Sequence, residues 1–366
     1  MSAHLWAPNF HGFGGGITAF SRELAAALNQ PERNIRLYGK SDPPGNWQDF
    51  PLWGAGCLPA RWRTAGFAAG VLTAAVRHRP NQIISTHLNF GPVAHLANRV
   101  RKIPYTLVAH GIDVHSGLSP QRLIALRHAD QIIAVSEWTR QRVLALGGIP
   151  GNRVHVLPNT YDDTRFVVGE RPEELVRRYQ LEKDEKVILT VARLDAGEAY
   201  KGYDRVLQTL PEVVRLCGRV RFLIAGKGND RQRLEAIARD SGVADRVTFA
   251  GFVPDEELAD HYRLADVFAM PSTGEGFGIV FLEAMGCGTP VLGGNLDGSV
   301  DALDQGRLGL LVDPTSVVAI SAGLISLLQR QGAETWFDRR LLSEAVKQTY
   351  GRVAFRQRVS ELFSVS

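Results

Sequence analysis

The sequence predicts an α/β fold built as two doubly wound parallel sheets, and three observations carry that prediction. Short apolar runs alternate with longer helical patterns, the same plan appears in each half, and 366 residues at 45% apolar content exceed what one ordinary core needs. In the first half strands are predicted at AHLWAP (3–8), IRLY (35–38), QIIST (82–86), YTLVAH (105–110), QIIAVS (131–136) and RVHVLP (153–158). The second half repeats them as KVILTVARL (186–194), RFLIAGKG (221–228), RVTFAGF (246–252), DVFAMPS (266–272) and TPVLGG (289–294). Between them lie helical patterns such as RQRLEAIARDSG, with Leu234, Ile237 and Ala238 at helical spacing and a stop at Gly242. The polar, aperiodic stretch 161–172 reads as the linkage, giving domains 1–166 and 167–345 with an active site in the cleft between them. In the last stretch, 346–366, Val353, Phe355, Val359, Leu362 and Phe363 share one helical stripe and should pack on something.

Composition narrows the setting. The start has no basic region followed by a long apolar stretch, and the longest weakly polar run, 64–76, is too short to span a bilayer, so a cytoplasmic chain is expected. Cys57, Cys217 and Cys287 are scattered, without metal-ligand spacing, and read as reduced, buried thiols. The net charge of +4 is unevenly spread: residues 1–166 hold 17 Lys and Arg against 9 Asp and Glu, and no acid falls in 51–111. Arg61, Arg63, Arg77, Arg79, Arg99, Arg101 and Lys102, with Trp53, Trp62 and Phe67, suit an anionic membrane surface or a phosphate-bearing acceptor. They equally suit a solvated helix face of ordinary arginine content.

The chemistry concentrates in a strand end, glycine turn and helix start, PSTGEGFGIVFLEAMG (271–286). Its glycines let backbone approach a ligand closely, and a helix start at Gly276, Phe277 and Gly278 offers N–H groups and a positive dipole end to a diphosphate. Carboxylates at Glu275 and Glu283 can each accept from two hydroxyls, one from a ribose diol and the other from a donor sugar. Arg193 and Lys201 can neutralise the charge that grows on a departing diphosphate, a task that a metal could otherwise perform. No Asp-x-Asp stands at a strand end, so neither metal nor cofactor is expected. His110 ends a strand and precedes Gly111, the position from which such sheets contact ligands, where it could donate a hydrogen bond; His87 and Asn89 in STHLNFGPVA are weaker sites of the same kind.

Taken in order, these elements resemble the family 4 glycosyltransferases over nearly the whole chain. Glu275 and Glu283 match the family's E-x7-E signature, HGFGGGITAFSREL its glycine-rich donor loop, and LPNTYDDTRF its P-N-G-V-D-x-x-x-F, with Thr160 where glycine is usual. VARLDAGEAYKGYD is similar to the R-L-x(n)-K-G element with a longer step from Arg193 to Lys201. GGNLDGSVDAL (293–303) matches the G-G-x-P-E region loosely, with Asp297 in place of a common glycine and Ser299 of a common proline. The resemblance implies a GT-B fold, two Rossmann-like domains facing a central cleft, the final helix crossing back to the first. It implies transfer of a hexose with retention from a nucleoside diphosphate sugar, Gly15 and Gly16 closing near the donor phosphates and His110 facing the donor sugar. A glycan or lipid-linked acceptor of surface polysaccharide or glycolipid synthesis follows, and no nucleic acid.

Rival readings of the same residues remain. Two acids at this spacing also suit a hydrolase pair, which would have no use for a separate diphosphate cradle. Gly14, Gly15 and Gly16 have the wrong spacing for a dinucleotide fingerprint, and the strand at 35–38 runs on to Gly39 and Lys40 rather than an acid. A transferase for small soluble acceptors and a catalytically silent nucleotide-sugar binder complete the set.

Overall fold

The computed structural model describes residues 2–12, 14–30, 33–115 and 117–363; Phe13 of the glycine-rich stretch lies outside them. The chain divides into two compact units, Met1–Thr160 with Arg352–Ser366, and Tyr161–Gly351.

In the first unit, eight strands form one sheet: β1 (Ser2–Ala7), β2 (Asn34–Gly39), β3 (Gly45–Trp47), β4 (Phe50–Gly54), β5 (Gln82–Ser85), β6 (Tyr105–Ala109), β7 (Gln131–Ala134) and β8 (Val154–Val156). Their order is β3-β4-β2-β1-β5-β6-β7-β8, parallel throughout except for β3 against β4. The order reverses between β1 and β5, which pair with His4 opposite Ile83. Parallel strands are covered on both faces, which is why Leu5, Trp6 and Ala7 are fully buried in succession rather than alternating with polar residues. Helices Ala60–His78, Gly91–Arg101 and Pro120–Arg127 contribute Phe67, Ala94 and Ala125 to a core with Trp6, Ile83, Tyr105 and Ile132.

The second unit holds β9 (Lys186–Val191), β10 (Val220–Ala225), β11 (Val247–Gly251), β12 (Val267–Met270), β13 (Val291–Gly294) and β14 (Leu310–Val312). They lie parallel in the order β11-β10-β9-β12-β13-β14, reversing between β9 and β12. Helices Tyr203–Cys217 and Val317–Leu328 close one core with Val206, Leu210, Leu324 and Leu327 against Ile188, Phe222 and Leu292. Each of these apolar side chains contributes about 1.5–3 kcal/mol by leaving water.

Some of these expectations need correction, and the placement of the final helix does not. The linkage expected at 161–172 belongs to the second unit, where Tyr161 and Phe166 are buried and Phe166 meets the Tyr262 ring at 5.8 Å. The helix Arg352–Leu362 belongs to the first: Phe355 packs edge-on against Phe20 at 5.9 Å and Arg352 Nη2 donates to Glu23 at 2.6 Å. Val353, assigned to the apolar stripe, is 76% exposed, leaving Phe355, Val359 and Phe363 to do the packing. Cys57 is exposed, Cys217 is half-buried and only Cys287 is buried, where desolvation holds its thiol up to about 12. Phe67 is core, its ring tilted against Phe90 at 4.8 Å, so of the aromatic residues in the basic segment Trp62, 59% exposed, and Trp53 face solvent.

Candidate functional site

Both sheets reverse strand order once, and in such folds ligands collect beyond the carboxyl ends of the strands at that point. At the β9/β12 reversal of the second unit four loops converge. Gly202 (φ +79°) ends the Arg193-to-Lys201 loop, and a Cβ there would lie 2.2 Å from the Pro271 carbonyl, so only glycine lets this loop lie on the next. Thr273 N–H donates to the Tyr200 carbonyl at 2.9 Å, fixing the same register. A Cβ at Gly298 would lie 2.1 Å from the Gly276 carbonyl, which locks the loop after β13 onto the glycine turn. From β10, Lys227 O accepts from Leu194 N–H at 3.0 Å, supporting the residue after Arg193.

Arg193, Lys201, Glu275, Gly276, Phe277, Gly278 and Glu283 are thereby carried by this unit. Gly278 caps the helix Ile279–Gly286 with no side chain; Phe281 N–H donates to the Gly278 carbonyl at 3.1 Å, and the Ile279 and Val280 N–H groups, which precede the first intrahelical bond, are the ones a ligand or water can meet. Phe277 is buried edge-on against Tyr350 at 5.5 Å and anchors the turn. Burial raises the Glu275 carboxyl above its usual range, Lys201 pulls it back, and Asp297 and Glu198 push it up again. Glu283 accepts from the Tyr262 hydroxyl at 2.8 Å, and burial holds it up at about 7.

The sequence reading gave no role to two residues of this site. Buried Asp297 accepts from Glu275 N–H at 2.7 Å and Ser272 Oγ at 2.7 Å through Oδ2, and from Ser299 N–H at 2.9 Å through Oδ1. It ties the loop after β13 to the glycine turn after β12 through one carboxylate, and the substitution of an acid for a common glycine was the available signal. Glu198 pairs with Arg193 through Oε1 and lies 3.3 Å from Lys201 Nζ through Oε2. It stood in plain view between the two cations.

The first unit carries the other candidates at its own reversal. Gly15, extended and exposed, caps the helix Gly16–Leu28 without a side-chain hydrogen bond. The preceding loop is held by Asp42, whose carboxylate accepts from Phe10 N–H at 2.7 Å and His11 N–H at 2.9 Å. His110 lies beyond β6 with its ring edge-on to Phe20 at 5.2 Å. Its Nε2 is 2.9 Å from the Thr86 carbonyl, an acceptor, so Nε2 carries the proton and donates, and Nδ1 is the acceptor. This corrects the expectation of a free donor. Burial lowers the ring to about 4, with the Thr86 carbonyl working against it, so His110 is neutral at physiological pH. The His110 backbone N–H donates to Asp113 Oδ1 at 2.9 Å. His87 Nδ1 accepts from Asn89 N–H at 3.1 Å and is also lowered to about 4 by burial, so Asn89 enters through its backbone while its side chain is exposed.

Among the described residues no group of three or more His, Cys, Asp or Glu could hold a metal, and no helix is long and apolar enough to cross a membrane.

Comparison with known proteins agrees with this layout. Residues 15–160 match the family described as glycosyl transferase 4-like domain, and residues 172–347 match glycosyl transferases group 1. The chain is 36% identical over 250 residues to the GDP-mannose-dependent alpha-(1-6)-phosphatidylinositol monomannoside mannosyltransferase of Mycolicibacterium smegmatis, covering 65% of this chain and 63% of that protein. It thus spans a little under two thirds of the length of that relative. It is 27% identical to the D-inositol 3-phosphate glycosyltransferase of Segniliparus rotundus, over 90% of this chain and 80% of that one. In fold it is similar to the sucrose-phosphate synthase of Thermosynechococcus elongatus, with a TM-score of 0.79 at 21% identity over 99% of this chain and 98% of the other.

Proposed function

The chain belongs to the family 4 glycosyltransferases of GT-B fold, and on that premise we propose that it transfers a hexose, with retention, from a nucleoside diphosphate sugar to a glycan or lipid-linked acceptor of surface polysaccharide or glycolipid synthesis. The observation that carries the reading is the β9/β12 reversal of the second unit, where Arg193, Lys201, Glu275 and an uncapped helix start are locked together by glycine contacts. The resemblance to a GDP-mannose-dependent enzyme makes GDP-mannose the first donor to try, with UDP-hexoses second.

In this reading the helix start and the two cations hold the diphosphate, Glu275 orients the donor sugar and Glu283 the ribose. Gly15 and Gly16 close toward the phosphates, and His110 accepts a sugar hydroxyl at Nδ1. The acceptor hydroxyl attacks the face that the diphosphate leaves, the anomeric C–O bond to phosphate breaks, and the departing phosphate oxygen takes the hydroxyl proton. Arg193 and Lys201 supply the charge neutralisation, so chelation of metals should leave turnover unchanged. One preorganised donor at such a position is worth about 10²–10³ in turnover, or ~2.7–4 kcal/mol.

The test is incubation with GDP-mannose or UDP-glucose and a lipid-linked or phosphoinositide acceptor, scoring nucleoside diphosphate release and the anomer of the product. An α-linked product from an α-linked donor supports the proposal, and a β-linked one overturns retention. The similarity to D-inositol 3-phosphate glycosyltransferase favours a second reading, a small soluble acceptor, which predicts equal turnover with and without vesicles.

A further inference from the structure

Arg193 and Lys201 do not wait as two unopposed cations. Both face the carboxylate of Glu198, whose side chain is 11% exposed while Arg193 is 79% exposed. Glu198 is fixed in place by its loop: Asp195 Oδ1 accepts from Gly197 N–H at 2.9 Å, Asp195 O accepts from Glu198 N–H at 2.7 Å, and Asn229 Oδ1 accepts from Ala196 N–H at 2.8 Å. The carboxylate is therefore the stationary partner and the arginine the movable one. Its Oε2, buried, accepts no hydrogen bond from a described residue and stands in ion-pair distance of Lys201. A buried carboxylate needs a cation beside it, and Lys201, itself mostly buried, can meet that need when Arg193 swings away.

We propose that Glu198 is a positioning residue that acts as an internal competitor for Arg193: it holds the guanidinium while the site is empty, yields it to the diphosphate, and recaptures it as the nucleoside diphosphate product departs. The inference rests on the reading that Arg193 and Lys201 hold the diphosphate. A competing anion tied to the protein lowers affinity for the diphosphate in substrate and product alike and shortens the product's residence. Glu275 and Asp297, the other acids of this cluster, do not substitute for it, because Asp297 is spent on backbone and serine donors and Glu275 acts on Lys201 while Arg193 pairs with Glu198.

Titration calorimetry of the full chain with GDP, UDP and inorganic pyrophosphate tests the inference. Glu198→Gln, isosteric and uncharged, should bind whichever diphosphate the wild type binds about fivefold more tightly, ~1 kcal/mol, and should be inhibited by that product at correspondingly lower concentration. Glu198→Asp, which keeps the charge, should stay close to wild type. In the Arg193→Ala background the gain from Glu198→Gln should vanish, since the two side chains act as one unit. Equal or weaker binding by a Glu198→Gln protein of unchanged melting temperature overturns the competitor role while leaving the diphosphate site standing. A gain that survives Arg193→Ala overturns it too, and failure of the wild type to bind any of the three probes overturns both it and the reading beneath it.

Discussion

The two units reverse strand order at the same place in the same pattern, yet the loops around the two reversals are chemically opposite. In the second unit the loops carry Arg193, Lys201, Glu198, Glu275 and Asp297, a cluster of charge on a backbone locked by glycine contacts. In the first unit they carry glycines, two histidines that burial holds neutral near 4, His110 and His87, and carboxylates, Asp42 and Asp113, that are spent on backbone N–H groups. Topology fixes where a ligand can lie; the loop residues fix what it can be. The charged reversal suits a diphosphate, and the neutral one suits sugar hydroxyls, which need oriented acceptors and donors without net charge.

The sharpest way to break the comparison is to remove charge from the second reversal. Arg193→Ala should lower kcat about 100-fold or more with little change in acceptor KM, read by steady-state kinetics. Unchanged turnover would make Arg193 an ordinary surface cation. Asp297→Ala should come next: it strands Glu275 N–H, Ser272 Oγ and Ser299 N–H, at about 1–3 kcal/mol for each buried group left unpaired. Thermal unfolding should record the loss, and Asp297→Asn, which keeps acceptor capacity at one oxygen, should recover part of it. The first reversal should respond more mildly. His110→Ala should cost about tenfold in donor kcat/KM, the scale of one hydrogen bond to a sugar hydroxyl. The ratio of wild-type to His110→Ala activity should be constant from pH 6 to 8, because a ring held near 4 does not titrate there.

A finer effect concerns Glu283. Its carboxyl is held at about 7 in the fold against an ordinary 4.5, so the native state keeps a proton that the unfolded chain releases between those values. This stabilisation is intact below about pH 4.5 and is lost as pH rises through 7. Glu283→Gln, which cannot ionise, should therefore gain stability relative to wild type as pH goes from 5 to 8, measured as a widening difference in melting temperature. Smallest should be the surface effect: if the basic face of the first unit meets an anionic leaflet, Arg61→Ala with Trp62→Ala should weaken co-sedimentation with phosphatidylserine vesicles, at about 1 kcal/mol per lost cation.

Much of the fold was legible because apolar runs such as YTLVAH and KVILTVARL advertise buried parallel strands directly. β3, β4 and β14 were not, since Gly45–Trp47 and Leu310–Val312 are three residues each and the hairpin at Gly45–Gly54 alternates with proline and glycine. Phe67 was misjudged because its arginine-rich surroundings say surface while the helix turns that one side chain to the core. At the site, the glycines and cations stood out by type, whereas Asp297 gains its role from a loop more than twenty residues away and Glu198 from a local pairing with Arg193 and Lys201 that residue type alone does not mark. Periodicity does not report such contacts. The proton on His110 Nε2 was likewise decided by a carbonyl 24 residues away.

The central claim is that the charged reversal of the second unit takes a nucleoside diphosphate. A thermal-shift panel of the full chain against UDP, GDP, ADP, CMP and NAD addresses it directly, since a ligand at 100 times its Kd stabilises by about 2.7 kcal/mol. The account expects one nucleoside diphosphate to raise the melting temperature and that rise to disappear in the Arg193→Ala, Lys201→Ala double variant. Stabilisation by NAD alone, or a nucleoside diphosphate shift that persists undiminished in the double variant, would contradict it.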